Sequence, residues 1–147
     1  MLMEKLRSLP LYRVLCVVVG LVFAITGISK AINPAAFLEQ LSSYQMVPIR
    51  LLAITALLVI LIELTLGALL LLKRWTQSAL ILTGLMTVAF LIVIAWAWQR
   101  GLQIDCGCLI GVSERVGPGA LIRDSVLLAV IVWAWIAGRR EQSRERA

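Results

Sequence analysis

The sequence predicts an all-α, polytopic membrane protein: a bundle of four transmembrane helices with a short interfacial helix in the first outer loop. Hydrophobic residues make up 61% of the 147 residues and charged residues only 15%, unlike the composition of a soluble domain. The charged side chains gather at the ends of four apolar blocks instead of alternating with apolar residues. Each block approaches the roughly 20 residues that a helix needs to span a bilayer.

The four predicted spans follow from these blocks in chain order. The first lies between Arg13 and Lys30, whose long side chains could extend towards the lipid headgroups. The second block is interrupted only by Glu63, the third has no charge, and the fourth carries Arg123 and Asp124 near its start. Within a single membrane domain over 1–147, we therefore predict spans at about 13–31, 49–72, 76–99 and 119–138, followed by a basic tail at 139–147.

A short helix is predicted between the first two spans, at about 34–45. Asn33 followed by Pro34 is a helix-start signal, with Asn as the cap and Pro at the first helical position. Side chains then recur at helical spacing on one face, at Phe37, Leu41 and Tyr44. This pattern suits a helix that lies on the membrane surface or packs over the bundle. We expect Pro48 to end it.

Lysine and arginine residues near the span ends predict the orientation. Nine belong to the side that holds both termini and five to the other side. The nine are Lys5, Arg7, Arg13, Lys73, Arg74, Arg139, Arg140, Arg144 and Arg146. Since the richer side is cytoplasmic, we expect both termini inside and the loop at about 100–118 outside, in the periplasm of a bacterial inner membrane. The basic residues flank spans rather than forming a stripe, so the expected contact is the lipid bilayer and not nucleic acid.

The outer loop holds Cys106 and Cys108 on either side of Gly107. An outward position means an oxidising compartment, where a disulfide can persist. A Cys-x-Cys pair closes a very small ring, and the strain of such a ring favours exchange over a structural bond. Three interpretations of the two cysteines remain open: a redox pair, two sulfur ligands for a soft ion such as Cu(I), or two small structural residues. The chain has no His, and we predict no resident metal. Cys16, in the first span, is expected to be a packing residue.

Two charged side chains are further candidate site residues. Glu63 lies near the middle of the second span, where a carboxylate is costly and marks a functional site by default. In a functional role, Glu63 would handle protons or polarise a quinone carbonyl. In a structural role, it would be a neutral, hydrogen-bonded acid that fixes helix packing. No basic residue of the other predicted spans lies at its depth, so we expect it to be protonated or paired near a helix kink or water. Arg123 either forms a local charge pair with Asp124 or stabilises a cysteine thiolate, and Lys30, just after the first helix, is a second candidate for the latter role.

Four pieces of the sequence together resemble the MauE family, within the broader group of DoxX-like four-helix membrane proteins. In chain order they are GISKAINPAAFLEQLSSYQMVP, ELTLGALLL, RGLQIDCGCLIG and LIRDSVLLA. The resemblance extends from about Val14 to Trp135. The family usually has CGCFG, whereas this chain has Leu109-Ile110 between Cys108 and Gly111. The family often has Arg-Asn in the last motif, whereas this chain has Arg123-Asp124.

The resemblance implies a redox-associated membrane protein. It implies that Cys106 and Cys108 exchange disulfides with a periplasmic thioredoxin-like or disulfide-containing client protein, either as a thiol–disulfide oxidoreductase or as an accessory to one. DoxX-like relatives include membrane subunits of oxidoreductase systems and quinone-linked proteins, so a quinone is the candidate cofactor and a larger membrane complex a candidate partner. The alternatives are a non-catalytic membrane assembly or anchor subunit of a redox enzyme complex, and a soft-metal-handling membrane protein.

Overall fold

The computed structural model describes residues 11–102, 104 and 116–145, and these residues form helices without any strand. The helices are α1 (Leu11–Ile32), α2 (Pro34–Ser43), α3 (Leu52–Leu71), α4 (Thr76–Gln99) and α5 (Pro118–Glu145). Four of them, α1, α3, α4 and the part of α5 up to Arg140, are long and apolar enough to cross a membrane. The predicted fold class, an all-helical bundle with four membrane spans, is confirmed. The Cys106–Cys108 pair and most of the predicted outer loop lie outside the described residues.

Helix α2 begins as predicted and ends earlier than predicted. The Asn33 side chain accepts a hydrogen bond from the Ala36 amide at 3.2 Å, and Pro34 occupies the first turn. The last helical residue is Ser43, and Gln45 has a φ of 54°, in the left-handed region. The hydroxyls of Ser42 and Ser43 both donate to the carbonyl of Glu39, and such local hydrogen bonds compete with continuation of the helix. The expectation that Pro48 ends this helix is therefore wrong.

Helix α5 continues well into the predicted basic tail. It begins at Pro118 and ends at Glu145, beyond the expected end of the span at Gly138. The residues that follow Gly138 are mostly Arg, Glu and Gln, which are good helix formers, and no proline interrupts them. Basic side chains are also favourable near the carboxyl end of a helix. The span and its basic flank are thus one helix.

Small residues bring α1 and α3 together as antiparallel neighbours. A Cβ atom added to Gly20 would lie 3.0 Å from Leu70, and one added to Gly27 would lie 3.2 Å from Glu63, so the two helices run in opposite directions. The closest approach is at Gly67, where a Cβ atom would lie only 2.7 Å from the backbone nitrogen of Ala24. Such close backbone contact is how membrane helices gain packing energy without a hydrophobic driving force between them.

Helices α4 and α5 form the second antiparallel pair. At one end, Ile94 and Ala97 of α4 pack with Ala120 of α5, and Tyr44 joins the same apolar cluster. We call this end of the bundle, which also carries α2, the α2 end. At the opposite end, Gly138 lies against Tyr12 and Gln77, near the starts of α1 and α4. The four spans therefore alternate in direction along the chain.

We expect Gly67→Ala to lower the free energy of unfolding by about 1–3 kcal/mol, because its methyl group would press on the Ala24 backbone. The matched control is Gly84→Ala, since a Cβ atom there would lie 3.5 Å from Ile131, which is ordinary contact. That control should leave stability unchanged or raise it, since Ala favours helix more than Gly. Thermal unfolding in detergent, followed by circular dichroism, measures both. Equal effects of the two substitutions would refute the close packing at Gly67.

Candidate functional site

The centre of the candidate site is a buried ion pair between α1 and α3. The Lys30 ammonium lies 2.6 Å and 2.8 Å from the two carboxylate oxygens of Glu63. The two side chains are only 4% and 2% exposed. The expectation that no basic residue lies at the depth of Glu63 is therefore wrong. Lys30 belongs to the last turn of α1, which ends at Ile32, and helical side chains tilt back towards the amino end.

Two aromatic rings flank the lysine of this pair. The Lys30 nitrogen lies 5.2 Å from the ring centroid of Phe37 in α2 and 5.2 Å from that of Phe90 in α4. Both distances suit cation–π attraction, which strengthens when the cation is shielded from water. Side chains from four helices therefore surround the Lys30 ammonium.

A signal for this arrangement is present in the sequence of α1. The buried positions of this helix include Gly20, Phe23, Gly27 and Lys30, which follow one another at helical spacing. The two glycines mark the face that meets α3, and Lys30 continues that face by one turn. A lysine on the contact face of a membrane helix indicates an internal acidic partner, here Glu63.

Arg123 and Asp124 form a second charge pair, at the start of α5. The Nε and Nη2 atoms of Arg123 each lie 2.9 Å from the same carboxylate oxygen of Asp124. The carboxylate is buried, while the arginine side chain is 38% exposed. The predicted local charge pair is confirmed. The alternative role of Arg123, stabilising a cysteine thiolate, stays a prediction because both cysteines lie outside the described residues.

Both charge pairs line one internal cavity of about 390 Å³, which we call the first cavity. Its wall is built by α1, α4 and α5, with Glu63 contributed by α3. The polar lining consists of Thr26, Lys30, Glu63, Thr87, Arg123 and Asp124. All other lining residues are Val, Leu or Phe. The cavity therefore combines apolar walls with a few convergent polar groups, the usual composition of a small-molecule site.

A second cavity of about 250 Å³ lies beneath α2, between α2, α3 and α4. Lys30 and Phe90 line both cavities, so the ammonium stands where the two meet. In the second cavity, the side-chain oxygen of Gln40 is buried without a hydrogen-bond partner among the described residues. The far end of this cavity is lined by Tyr44 and Ile94.

The described residues on either side of the cysteine segment are held together at the α2 end. The Val116 amide donates a 2.8 Å hydrogen bond to the Ile104 carbonyl. Both residues pack in the apolar cluster that contains Tyr44 and Ile94, which also line the second cavity. Ile104 and Val116, which flank the cysteine segment in sequence, therefore lie beside the second cavity.

The structure brings together two of the four predicted site residues. Glu63 and Arg123 both line the first cavity, whereas Cys106 and Cys108 lie outside the described residues. Cys16 is buried in the apolar cluster nearer the opposite end, which confirms its packing role. Among the described residues, no group of three or more Cys, Asp and Glu side chains could hold a metal ion.

A comparison with protein families matches residues 8–137, most of the chain, to the family described as methylamine utilisation protein MauE. No curated protein and no solved structure matches the chain.

Proposed function

The chain belongs to the MauE family of methylamine utilisation proteins, and we propose that it is a membrane thiol–disulfide redox protein. In this proposal, Cys106 and Cys108 exchange disulfides with a thioredoxin-like protein or with a disulfide-containing client. The observation that carries the proposal is the closure of the loop base: Ile104 and Val116 are hydrogen-bonded at the α2 end. The two cysteines follow Ile104 by two and four positions in sequence, so the described residues that flank them lie together at one end of the bundle.

The proposed chemistry needs the α2 end to face an oxidising compartment. Lysine and arginine are more numerous at the opposite end, and the richer side of a membrane protein is normally cytoplasmic. We therefore assign the α2 end to the periplasm of a bacterial inner membrane, with both termini in the cytoplasm. Disulfides form and persist in that compartment.

Exchange proceeds through a mixed disulfide. One cysteine thiolate attacks a sulfur of the partner's disulfide, whose S–S bond breaks as the intermolecular S–S bond forms. The second cysteine then attacks the mixed disulfide, which releases the partner as a dithiol and leaves a Cys106–Cys108 disulfide. Two electrons pass to the partner, and the reverse sequence oxidises it. The electrons of a reduced pair go to a second soluble thiol protein or to an acceptor inside the bundle.

A second candidate function is a non-catalytic subunit that anchors a redox enzyme. The observation in its favour is the mutual neutralisation of Lys30 and Glu63, which suits a structural role for both. In that case Cys106 and Cys108 are structural residues. A soft-metal protein, the third alternative, would retain copper on the two sulfurs through purification, which elemental analysis detects.

Labelling of thiols from outside the cell tests orientation and redox state together. We expect a membrane-impermeant maleimide to label Cys106 and Cys108 in intact cells only after mild reduction, because the pair is oxidised at rest. Mass spectrometry of the labelled peptides identifies the sites. Cys16 serves as an internal control, because it is buried in the bundle.

The orientation control is Ser143→Cys, at an exposed position near the end of α5. This thiol should react only after the membrane is permeabilised. If Cys106 and Cys108 also needed permeabilisation, the assignment of the α2 end to the periplasm would be wrong. If reduction never increased their labelling, even after treatment with an oxidant, the redox pair would be refuted.

A further inference from the structure

The first cavity is reachable from the lipid phase. Val18 of α1 and Val126 of α5 line it and are 47% and 58% exposed, so both lie at its open side. Both residues belong to candidate membrane spans, so the medium they face is the bilayer. A ligand that passes between them must dissolve in lipid.

The inner wall of the first cavity offers a hydrogen-bond donor at the end of this path. A lysine ammonium carries three N–H bonds, and Glu63 accepts two from Lys30. One N–H bond is left for an acceptor on a ligand, in surroundings where the Phe90 ring and aliphatic side chains exclude water. The ligand that fits is therefore a lipid-soluble molecule whose head carries a hydrogen-bond acceptor, such as a carbonyl oxygen.

The two charge pairs complete the polar part of the cavity wall. Glu63 and Asp124 each place a carboxylate on the cavity wall beside a cationic partner. The volume of about 390 Å³ lies within the usual range for small-molecule sites, roughly 300–1,000 Å³. Lys30 also borders the second cavity, which extends to Tyr44 beside the base of the cysteine segment.

We propose that the first cavity binds a lipid-soluble quinone, which reaches it from the bilayer between Val18 and Val126 and accepts a hydrogen bond from Lys30. Its role as electron acceptor rests on the proposed function. A bound quinone accepts two electrons and two protons on becoming a hydroquinone, which equals what two thiols release when they form a disulfide. The residues of this chain bind the head and shield it from water.

Direct binding tests the site apart from any redox activity. The probe is decylubiquinone, a benzoquinone with a ten-carbon tail, added to the purified full chain in lipid nanodiscs and measured by equilibrium titration. We expect saturable binding of one molecule per chain. Val126→Trp, which fills the path from the bilayer, should weaken binding at least about tenfold. The matched control is Val132→Trp, because Val132 is 46% exposed on the same helix and does not line the cavity.

Two further binding measurements distinguish failure of this inference from failure of the proposed function. The double variant Cys106→Ser/Cys108→Ser should bind decylubiquinone as tightly as the unmodified chain and should fail to reduce it. If the unmodified chain bound decylubiquinone normally but its cysteines never exchanged disulfides, the quinone site would be supported and the exchange function rejected. Decanol, which has the same tail length without a quinone head, should not compete. Absence of saturable binding, full competition by decanol, or equal weakening by the two tryptophan variants would each overturn the quinone site.

Discussion

Replacement of Lys30 by Met is expected to lower the free energy of unfolding by about 3–5 kcal/mol, because it leaves Glu63 as an unpaired charge in a buried site. Glu63→Leu should cost a similar amount for the converse reason, since the ammonium would lose both of its carboxylate partners. The two side chains are almost inaccessible, and most of the surrounding cavity wall is apolar, so the unpaired charge has few other partners. Thermal unfolding of the purified variants in one detergent measures both effects.

The double variant Lys30→Met/Glu63→Leu separates pairing from general damage to the core. Removing both charges leaves an apolar contact, and replacement of a buried ion pair by apolar residues of similar size is often neutral. We therefore expect the double variant to be far more stable than either single variant. Lys73→Met, at an exposed lysine, is the control and should change stability little. If the two single effects simply added in the double variant, the ion pair would not be what stabilises this contact.

The ion pair also changes how a test of Glu63 in turnover must be designed. The sequence alone indicates no charged partner for Glu63, so Glu63→Gln looks like a simple isosteric test of proton transfer. With Lys30 bound to both carboxylate oxygens, the same change leaves a buried ammonium beside a neutral amide. A loss of activity in Glu63→Gln therefore reports on proton transfer only if the variant unfolds at an unchanged temperature.

The fold class could be predicted because its causes are local in the sequence. The thickness of the bilayer requires long apolar runs, and backbone groups in lipid must be paired within each helix. The start of α2 was predictable for the same reason, since Asn33 and Pro34 act on the turn that follows them directly. The end of α2 was not, because the chain leaves the helical conformation with a left-handed φ of 54° at Gln45, before the proline is reached.

The centre of the site could be predicted only in part, because it depends on contacts between distant residues. The lone charge of Glu63 in an apolar run marks it as a candidate, but its partner Lys30 lies 33 positions away, near the end of the first span. Whether Lys30 meets Glu63 depends on how α1 and α3 pack against each other, which the local sequence does not specify. The cavities were beyond prediction, since they are the space left where several helices pack imperfectly against one another.

Loss of one outer cysteine is expected to convert the proposed exchange from a transient reaction into a trapped product. In Cys106→Ala or Cys108→Ala, the remaining thiolate can attack a partner's disulfide, but no second cysteine is present to resolve the mixed disulfide. We expect one of these variants to accumulate a covalent complex with a periplasmic protein, visible after acid quenching and non-reducing electrophoresis, and lost on reduction. The variant that traps the complex identifies the attacking cysteine.

The control for trapping is Cys16→Ala, which removes the buried thiol of α1 and leaves both outer cysteines in place. It should show no accumulated complex, because resolution is intact, and it provides a background in which any trapped sulfur must belong to the outer pair. The double variant Cys106→Ala/Cys108→Ala in that background should trap nothing. If neither single variant accumulated a complex, while the stability and assembly of a neighbouring redox enzyme still required this chain, the anchor function would replace exchange. Quinone binding in the first cavity would then have to be explained without the cysteines, since their disulfide would no longer be the source of its electrons.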